Sequence, residues 1–271
     1  AVIGNGVIGL TTAIKLLRQS RDVVIYTKDK NHLQTEDTVS LVACALWQPY
    51  KLYTNLENYP EENFNHVKNI TLNSLQELYN NTIIAGSQKS GIYIRNHFEY
   101  SRESIYKENN ILKKDFYYIE LLKNFWEEKS DSNSIFKEKK VKHKPTFKAQ
   151  DNKNIDVDFE YIHGYKTYVI DPSVFLKYLT DEFYRLGGKI IDKKLNLNEI
   201  KKLKEKVIFN CSGINGFTIF KNKNVGAKEN RTLVPKKGVL LLYNLKEDYQ
   251  FENTIVLDEL TILCREKELT I

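Results

Sequence analysis

The first nine residues of the chain read Ala1-Val2-Ile3-Gly4-Asn5-Gly6-Val7-Ile8-Gly9. A short apolar run precedes three glycines at the spacing G-x-G-x-x-G, and the residues beyond them follow the apolar period of a helix. The apolar positions of that helix are Ile8, Leu10, Ala13, Ile14 and Leu17. A second apolar run, residues 23–26, follows a polar break. This pattern predicts a strand, a helix and a second strand in one β-α-β unit.

Each glycine of the motif has its own task in binding a dinucleotide. Gly4 allows a tight turn, Gly6 lets the backbone approach a pyrophosphate, and Gly9 lets the helix pack close to the sheet. The helix N-terminus, at Val7 and Ile8, offers amide groups to an anion. Because the motif follows a strand and opens a helix, it predicts a Rossmann-type dinucleotide-binding unit.

The residue that ends the second strand leaves the choice of dinucleotide open. An acidic residue usually contacts the ribose at this point. A strict count places Lys28 there, whereas a shift of one residue places Asp29 there. Lys28 is also suited to the 2′-phosphate of NADP, or to a solvent-exposed turn with no role in binding.

The rest of the chain continues to alternate helix and strand patterns around a less regular middle. The spacing predicts an amphipathic helix over 64–79, a strand over 92–98 and antiparallel strands mixed with helix over 99–160. Asp171 and Pro172 are typical of a helix start, and Gly187-Gly188 of a helix end. Further strands are predicted at 189–191, 239–243 and 261–263, and a buried strand is predicted at 207–210. The apolar stripe of the first of these helices is predicted to be Phe64, Val67, Leu72, Leu75, Leu78 and Tyr79.

Composition excludes several classes of protein. The chain of 271 residues carries a net charge of +6, with acids and bases interspersed. A nucleic-acid site would have its lysines interleaved with aromatic or arginine residues on one face, whereas we expect the densest basic stretch, residues 137–148, to be a solvated loop or strand edge. No apolar stretch is long enough to span a membrane, and no signal peptide opens the sequence. Three cysteines without a C-x-x-C pair or a histidine cluster predict neither disulfides nor a metal site, and favour an intracellular protein.

The ends of the chain point to a larger native protein. The sequence contains no methionine. It starts within one predicted strand and stops within another, Leu269-Thr270-Ile271. We therefore expect native residues beyond both ends.

A second motif is more specific than the glycine loop. Beyond Ser40 and three small residues, the chain reads Leu46-Trp47-Gln48-Pro49-Tyr50. Together with the glycine loop, this segment resembles the N-terminal region of D-amino acid oxidases, and it leans toward the branch that acts on neutral D-amino acids. Trp47 and Tyr50 are also suited to an ordinary core.

The resemblance continues along most of the chain. The segments that carry it are Ser90-Gly91-Ile92, the helix at Asp171 with Gly188-Lys189-Ile190, Asn210-Cys211-Ser212-Gly213, and Leu233-Val234-Pro235-Lys236-Lys237-Gly238. In the last of these, lysine and valine replace residues of the family's Pro-x-Arg-Gly-Gln motif.

The resemblance implies an α/β fold with FAD as the cofactor. It implies a Rossmann-like FAD-binding domain formed by residues 1–51 and 164–218, and an α+β substrate-binding domain on a mixed or antiparallel sheet, formed by 52–163 and 219–271. The C-terminal part of the FAD-binding domain is expected beyond the chain. The implied cofactor-binding residues are Gly4, Gly6, Val7, Ile8, Gly9, Lys28, Asp29, Ser40, Ala45, Leu46, Trp47, Gln48, Leu195, Cys211, Ser212 and Gly213.

The activity that the resemblance implies is oxidative deamination of D-amino acids. A hydride would pass from the substrate α-carbon to flavin N5, and oxygen would reoxidise the flavin to give hydrogen peroxide. Leu46, Gln48 and Tyr50 would line the substrate. The arginine that binds the substrate carboxylate in this family is expected beyond Ile271, so no catalytic residue is assigned, and Arg265 is not given that role. The segment between Leu257 and Thr261 is too short for the family's lid tyrosines.

Two other functions fit the same residues. One is an amine oxidase of the glycine or sarcosine type, which shares the fold. The other is a non-catalytic flavin-binding relative, favoured by Lys28 and Lys237. In each case we expect a small-molecule ligand, no nucleic-acid or membrane partner, and an intracellular location, cytoplasmic or peroxisomal. The resemblance also allows a homodimer.

Overall fold

The computed structural model describes residues 1–28, 31, 39–43, 45–48, 60–101, 103–107, 111–122, 125–129, 146–148, 154–156, 161–213, 215–219, 242–244, 253–257, 260–264 and 268–270. Its helices are α1 (Val7–Arg18), α2 (Val39–Val42), α3 (Glu61–Ala85), α4 (Ser87–Ser90), a 3₁₀ helix (Lys114–Leu121), α5 (Pro172–Arg185), α6 (Leu197–Ile200) and α7 (Asn215–Ile219). Its strands are β1 (Val2–Ile3), β2 (Val24–Thr27), β3 (Ile92–Ser101), β4 (Trp126–Lys129), β5 (Thr146–Lys148), β6 (Asn154–Asp156), β7 (Tyr161–Ile170), β8 (Lys189–Asp192), β9 (Phe209–Asn210), β10 (Leu242–Asn244), β11 (Asn253–Leu257), β12 (Leu260–Cys264) and β13 (Glu268–Thr270).

The first of two compact units comprises Ala1–Ala43, Ser87–Gly91 and Asp171–Val239. It contains a four-stranded sheet in the order β8-β2-β1-β9, in which every pairing is parallel. Val2 of β1 pairs with Ile25 of β2, and both side chains are fully buried. Continuous apolar runs such as these are typical of parallel strands that are covered on both faces. The predicted Rossmann-like unit is confirmed.

Two amphipathic helices of this unit, α1 and α5, contact each other. The buried stripe of α1 includes Leu10 and Ile14, as its apolar period predicts. At the start of α5 the Asp171 carboxylate accepts hydrogen bonds from the backbone N–H groups of Ser173, at 2.9 Å, and of Val174, at 3.3 Å. Because these amides have no partner within the helix, the predicted cap stabilises α5.

The second unit comprises Cys44–Gly86, Ile92–Ile170 and Leu240–Ile271. Its main sheet has seven strands in the order β10-β13-β12-β11-β3-β7-β4. The β11–β3 pairing is parallel and the other five are antiparallel, so the predicted mixed sheet is confirmed. Leu257 of β11 pairs with Leu260 of β12, so the connection there is short, as the sequence indicates. Strands β5 and β6 form a separate antiparallel pair.

The helix α3 is longer than predicted, and its buried face differs from the predicted stripe. Val67 and Thr71 are buried, whereas Leu72 and Tyr79 are 46% and 48% exposed. Residues at i and i+4 share a helix face, so the stripe that contains Val67 passes through Thr71 rather than Leu72. Leu72 and Tyr79, two of the apolar positions from which the helix was predicted, therefore lie outside its buried face. Among the helices that the structure describes, none is long and apolar enough to cross a membrane.

The predicted buried strand at 207–210 is also corrected. Only Phe209–Asn210 forms a strand, and Val207 and Phe209 are 61% and 37% exposed. Among the strands that the structure describes, β9 pairs with β1 alone and lies at the edge of the four-stranded sheet. An apolar run by itself does not tell an edge strand from a central one, because that difference depends on the neighbouring strands.

The boundaries between the units differ from the predicted domain limits. The predicted return to the first domain at residue 164 would cut β7, which pairs with β3 without interruption as far as Ile170. The return therefore lies at Asp171, where α5 begins. Residues 44–51 belong to the second unit rather than the first, and Ser87–Gly91 to the first rather than the second. Residues 220–239 lie outside the described residues, so the predicted limit at 218 stays a prediction.

Candidate functional site

The glycine loop between β1 and α1 is packed so closely that its backbone atoms leave no room for side chains. Gly4 has a φ of +104°, which L residues rarely adopt, and a Cβ there would lie 2.4 Å from the Cys211 carbonyl oxygen. A Cβ on Gly9 would lie 1.9 Å from the carbonyl oxygen of Gly4. The roles predicted for Gly4 and Gly9 therefore match the geometry of the turn.

A hydroxyl group from a distant part of the chain lies at the N-terminus of α1. Ser40, on α2, accepts a hydrogen bond from the Val7 amide at 3.2 Å. A Cβ on Gly6 would lie 2.9 Å from the same Ser40 oxygen. No acidic residue lies in the first turn of α1. Since first-turn amides and the helix dipole both favour anions, the arrangement fits one phosphate of a pyrophosphate.

A buried hydrogen bond connects the loop to the second strand. The Thr27 hydroxyl donates to the Asn5 side-chain oxygen at 2.8 Å, and both residues are buried. The Gly4 amide donates to the Tyr26 carbonyl at 2.8 Å. Lys28 follows the last residue of β2 and is exposed. Its contact with a ribose or phosphate stays a prediction, and Asp29 lies outside the described residues.

The turn after β9 lies beside the glycine loop. The Cys211 amide donates to the Ile3 carbonyl at 2.9 Å, which continues the pairing of β9 with β1. The Ser212 hydroxyl donates to the Asn210 side-chain oxygen at 2.6 Å. Burial raises the pKa of the Cys211 thiol, so the thiol stays protonated near neutral pH. Gly213 has a φ of +59° and is exposed.

These elements meet because the carboxyl ends of parallel strands lie at one edge of a sheet. We call residues 4–9, Ser40 and 210–213 the glycine-loop site. Such an edge is where open α/β sheets bind ligands. Leu195 does not present its side chain there: it is 4% exposed and packs with Ile3 and Ile200 in the core, so any contact with a cofactor would involve its main chain. Ile8 is 64% exposed.

The remaining described candidates, residues 45–48, belong to the second unit and continue its sheet. The Ile170 amide donates to the Ala45 carbonyl, and Leu46 forms an antiparallel bridge with Val169. The Trp47 amide donates to the Tyr168 carbonyl at 2.8 Å, and the Thr167 hydroxyl donates to the Trp47 carbonyl at 2.6 Å. The backbone of this segment is therefore fixed against the end of β7.

The Trp47 ring lies in the core of the second unit. It is 8% exposed, and its indole N–H donates to the Ser74 hydroxyl at 2.9 Å. The core residues around it are Val67, Ile105, Tyr117, Tyr118, Ile119 and Tyr165. The structure thus gives Trp47 the packing role that the sequence left open, and a contact with a cofactor stays a prediction.

Gln48 lies in a polar cluster rather than an apolar core. Its side-chain Nε2 lies 3.1 Å from Glu99 Oε2 and 3.5 Å from the Tyr118 hydroxyl. Burial, followed by the charge of Glu99, raises the pKa of Tyr118, and burial raises that of Tyr165 well above its ordinary value. Both phenols are therefore neutral at pH 7. We call Gln48, Glu99, Tyr118 and Tyr165 the Gln48 cluster.

The cluster extends along one face of the β3–β7 pair. In register, Arg95 lies opposite Thr167, His97 opposite Tyr165, and Glu99 opposite His163. His97 and His163 are fully or almost fully buried, and the His97 and Tyr165 ring centroids are 4.6 Å apart. Burial, with a smaller effect of His163, lowers the pKa of His97 to about 3. His97 is therefore neutral at physiological pH.

Known proteins support the resemblance. No family model matches the chain. A D-amino-acid oxidase from Streptomyces coelicolor is 45% identical over 51 residues, which cover 19% of this chain and 15% of that protein. The iminodiacetate oxidase from Chelativorans sp. BNC1 superposes with a TM-score of 0.63 over 99% of this chain and 69% of that chain, at 14% identity. The glycine oxidase from Geobacillus kaustophilus gives a TM-score of 0.58 over the same shares, at 10% identity.

Over the matched segment the chain resembles the D-amino-acid oxidase family, and its fold is that of the two amine oxidases. The likeness to the two solved structures concerns the fold, because their identity to this chain is low. FAD is the cofactor of this family, and the glycine-loop site has the geometry to hold its pyrophosphate.

Sequence reasoning missed the polar residues that support the two regions. Asn5 and Thr27 carried a readable signal, since a polar residue inside the glycine loop and another at the end of a buried strand need partners. Glu99, Tyr118 and His163 carried none, because only the pairing of β3 with β7 and the packing of the 3₁₀ helix bring them together. Predicted features that lie outside the described residues are Asp29, Cys44, Tyr50, residues 137–145 of the basic stretch and residues 233–238.

Proposed function

We propose that this chain is the larger part of a flavin-dependent D-amino acid oxidase. The observation that carries the proposal is the glycine-loop site, where Ser40 places a hydroxyl at the N-terminus of α1. The D-amino acid preference rests on the resemblance of residues 46–50 and on the matched segment of the Streptomyces coelicolor enzyme.

In this proposal the residues of the glycine-loop site bind and orient the cofactor. The amides of the first turn of α1 donate to a pyrophosphate oxygen, and the Ser40 hydroxyl adds a donor beside Gly6. The Asn5–Thr27 hydrogen bond holds the loop against β2. Lys28, exposed at the end of β2, contributes a positive charge where an acid is usual. A cation there weakens the standard contact with ribose and favours a phosphate oxygen.

The bound flavin would supply the two-electron acceptor for oxidation of the amine, with oxygen as the final acceptor and hydrogen peroxide as a product. The protein contributes binding and orientation. Leu46, Gln48 and Tyr50 are proposed to line the substrate. The backbone of Leu46 is fixed by its bridge to Val169, and the amide of Gln48 by Glu99, so both positions are rigid.

The first test is flavin binding and peroxide formation. The protein incubated with FAD and freed of excess cofactor is expected to be yellow and to release peroxide with D-alanine. A protein that retains no flavin after this treatment would overturn the proposal. Retention of flavin without turnover of any amine would favour a non-catalytic flavin-binding relative, the alternative that Lys28 also favours.

A second candidate is an amine oxidase of the glycine or sarcosine type. The observation that favours it is the fold likeness to an iminodiacetate oxidase and a glycine oxidase, with TM-scores of 0.63 and 0.58. A panel of D-alanine, glycine and sarcosine separates the two. Turnover of sarcosine without turnover of D-alanine would replace the D-amino acid assignment. A cytoplasmic or peroxisomal location and a homodimer stay predictions.

A further inference from the structure

The orientation of the Gln48 amide follows from the chemistry of its neighbour. Gln48 Nε2 lies 3.1 Å from Glu99 Oε2. An ionised carboxylate only accepts hydrogen bonds, so the amide must turn its NH₂ group, and not its oxygen, toward Glu99. The second amide hydrogen faces the Tyr118 hydroxyl oxygen, at 3.5 Å. Both donors of Gln48 are thus directed into the cluster.

The amide oxygen is left as the group that Gln48 can offer to a ligand. Oε1 occupies the other corner of the same planar amide. Among the described residues, no donor forms a hydrogen bond with it. Gln48 is also only half-buried, in contrast to its neighbour Trp47. An amide oxygen in this position can accept from an N–H group.

The parts that fix this amide are rigid. Glu99 lies within the ten-residue strand β3, with both neighbouring strands paired to it. Tyr118 is 3% exposed, and its ring contacts those of Tyr117 and Tyr165. The backbone of Trp47, the residue before Gln48, is held by two hydrogen bonds to β7. The amide is therefore held before any ligand arrives, which reduces the ordering cost of binding.

We propose that Glu99 is a positioning residue that, through Gln48, presents an amide oxygen to the amino group of the substrate. The inference rests on the proposed oxidase function and adds to it a residue outside the sequence motif. The recognised chemistry is an amine N–H donor. A ligand with the same carboxylate but no amino group gains nothing from this arrangement.

The test compares D-alanine with propionate, which has the carboxylate and lacks the amino group. Glu99→Gln keeps the size of the side chain, but its amide can donate as well as accept, so it no longer dictates the orientation of Gln48. In the FAD-loaded protein we expect the KM for D-alanine to rise about tenfold, the scale of one lost hydrogen bond to a charged group, while kcat and the inhibition constant of propionate change less than about twofold.

A double-mutant cycle ties the effect to Gln48. Gln48→Met removes the amide, so adding Glu99→Gln to it is expected to cause no further rise in KM. Additive effects of the two substitutions would overturn the inference. Equal weakening of D-alanine and propionate by Glu99→Gln would also overturn it, because a general structural role predicts that result. Glu62→Gln, at an exposed position of α3, is the matched control and is expected to change neither constant.

Two further measurements test the inference if Glu99→Gln does not fold or if the protein has no oxidase activity. If Glu99→Gln fails to fold, as judged by circular dichroism, Tyr118→Phe removes one partner of the amide and is expected to raise the KM for D-alanine about two- to threefold without affecting propionate. An unsubstituted protein that oxidises no amine overturns the proposed function. Ligand binding is then measured by tryptophan fluorescence, and binding of D-alanine and propionate with equal sensitivity to Glu99→Gln overturns the inference separately.

Discussion

The glycine-loop site of the first unit and the Gln48 cluster of the second differ in which atoms form them. The first depends on backbone: a Cβ on Gly4 or Gly9 would collide with backbone atoms, and the amides of α1 are the donors. The second depends on side chains from three separate elements, with Gln48 beside Glu99 of β3 and Tyr118 of the 3₁₀ helix. A backbone site tolerates no added atoms, whereas a side-chain cluster depends on charge and hydrogen-bond direction.

The largest loss of stability is expected at Gly9, where an added side chain would meet backbone atoms of the glycine loop. Gly9→Ala would place a methyl group 1.9 Å from the Gly4 carbonyl oxygen, which cannot move without shifting β1. We expect the free energy of unfolding to fall by about 3 kcal/mol, the upper part of the range for overpacking. Urea denaturation of the purified protein measures this change.

The matched control for that variant is Gly6→Ala. Its methyl group would lie 2.9 Å from the Ser40 hydroxyl, a side-chain atom that can rotate away. We expect a loss of less than about 1 kcal/mol in stability, together with weaker FAD binding. Equal destabilisation by the two variants would contradict the claim that backbone contacts set the first site.

The second-largest effect is the pH dependence of stability that the buried His97, beside the Gln48 cluster, is expected to cause. The pKa of His97 is about 3 in the folded chain against 6.5 ordinarily, so the unfolded chain takes up the proton first as pH falls. The folded state is therefore destabilised below pH 6.5, by up to about 1.4 kcal/mol per pH unit, or about 2 kcal/mol between pH 7 and pH 5. The penalty would stop growing near the folded pKa.

Denaturation at several pH values tests this expectation. His97→Phe fills similar space without a titrating group, and we expect its unfolding free energy to lose the dependence on one proton between pH 7 and pH 5. His66→Gln, on the exposed face of α3, is the control and is expected to keep that dependence. An unchanged slope in His97→Phe would show that the buried histidine does not govern the acid response of the second unit.

A smaller effect is expected at Ser40, whose side chain contacts the first turn of α1. Ser40→Ala removes the hydroxyl that accepts from the Val7 amide. We expect the dissociation constant for FAD to rise about fivefold, corresponding to about 1 kcal/mol for one hydrogen bond. Flavin fluorescence titration measures it, with Ser87→Ala in the same unit as the control. A rise as large as that for Gly6→Ala would mean that side chains contribute to this site as much as the backbone.

The smallest effect is expected on the surface of α5, outside both regions. The hydrogen bond from Arg185, helped by Arg18, lowers the pKa of Glu182 to about 2. This pair stabilises the fold above the ordinary carboxyl pKa, and the contribution is lost as pH falls through about 2. Because solvent screens the pair, we expect Glu182→Gln to cost about 0.5 kcal/mol at pH 7. Asp181→Asn is the control, and a cost comparable to that of Gly9→Ala would contradict the ranking.

The sequence predicted the glycine-loop unit well because its signals are local. The spacing of Gly4, Gly6 and Gly9 specifies a turn within one β-α-β unit, and Asp171 and Pro172 specify the start of α5. The burial of individual residues was predicted less well, because it depends on the elements that pack against them. Leu72 was counted among the apolar positions of α3, although Thr71 is the buried residue. The run that contains Phe209 was expected to be buried, although Phe209 is 37% exposed.

By itself, the sequence determined the parallel β-α-β start, the helix terminus that is predicted to bind an anion, and the resemblance to D-amino acid oxidases, since each depends on residues close together in the chain. Only the tertiary structure decided that Ser40 reaches the amide of Val7, and that Glu99 and Tyr118 orient Gln48. Those contacts join residues that are 33, 51 and 70 positions apart. Contacts over such separations depend on strand register and helix packing, which no local pattern of residue types encodes.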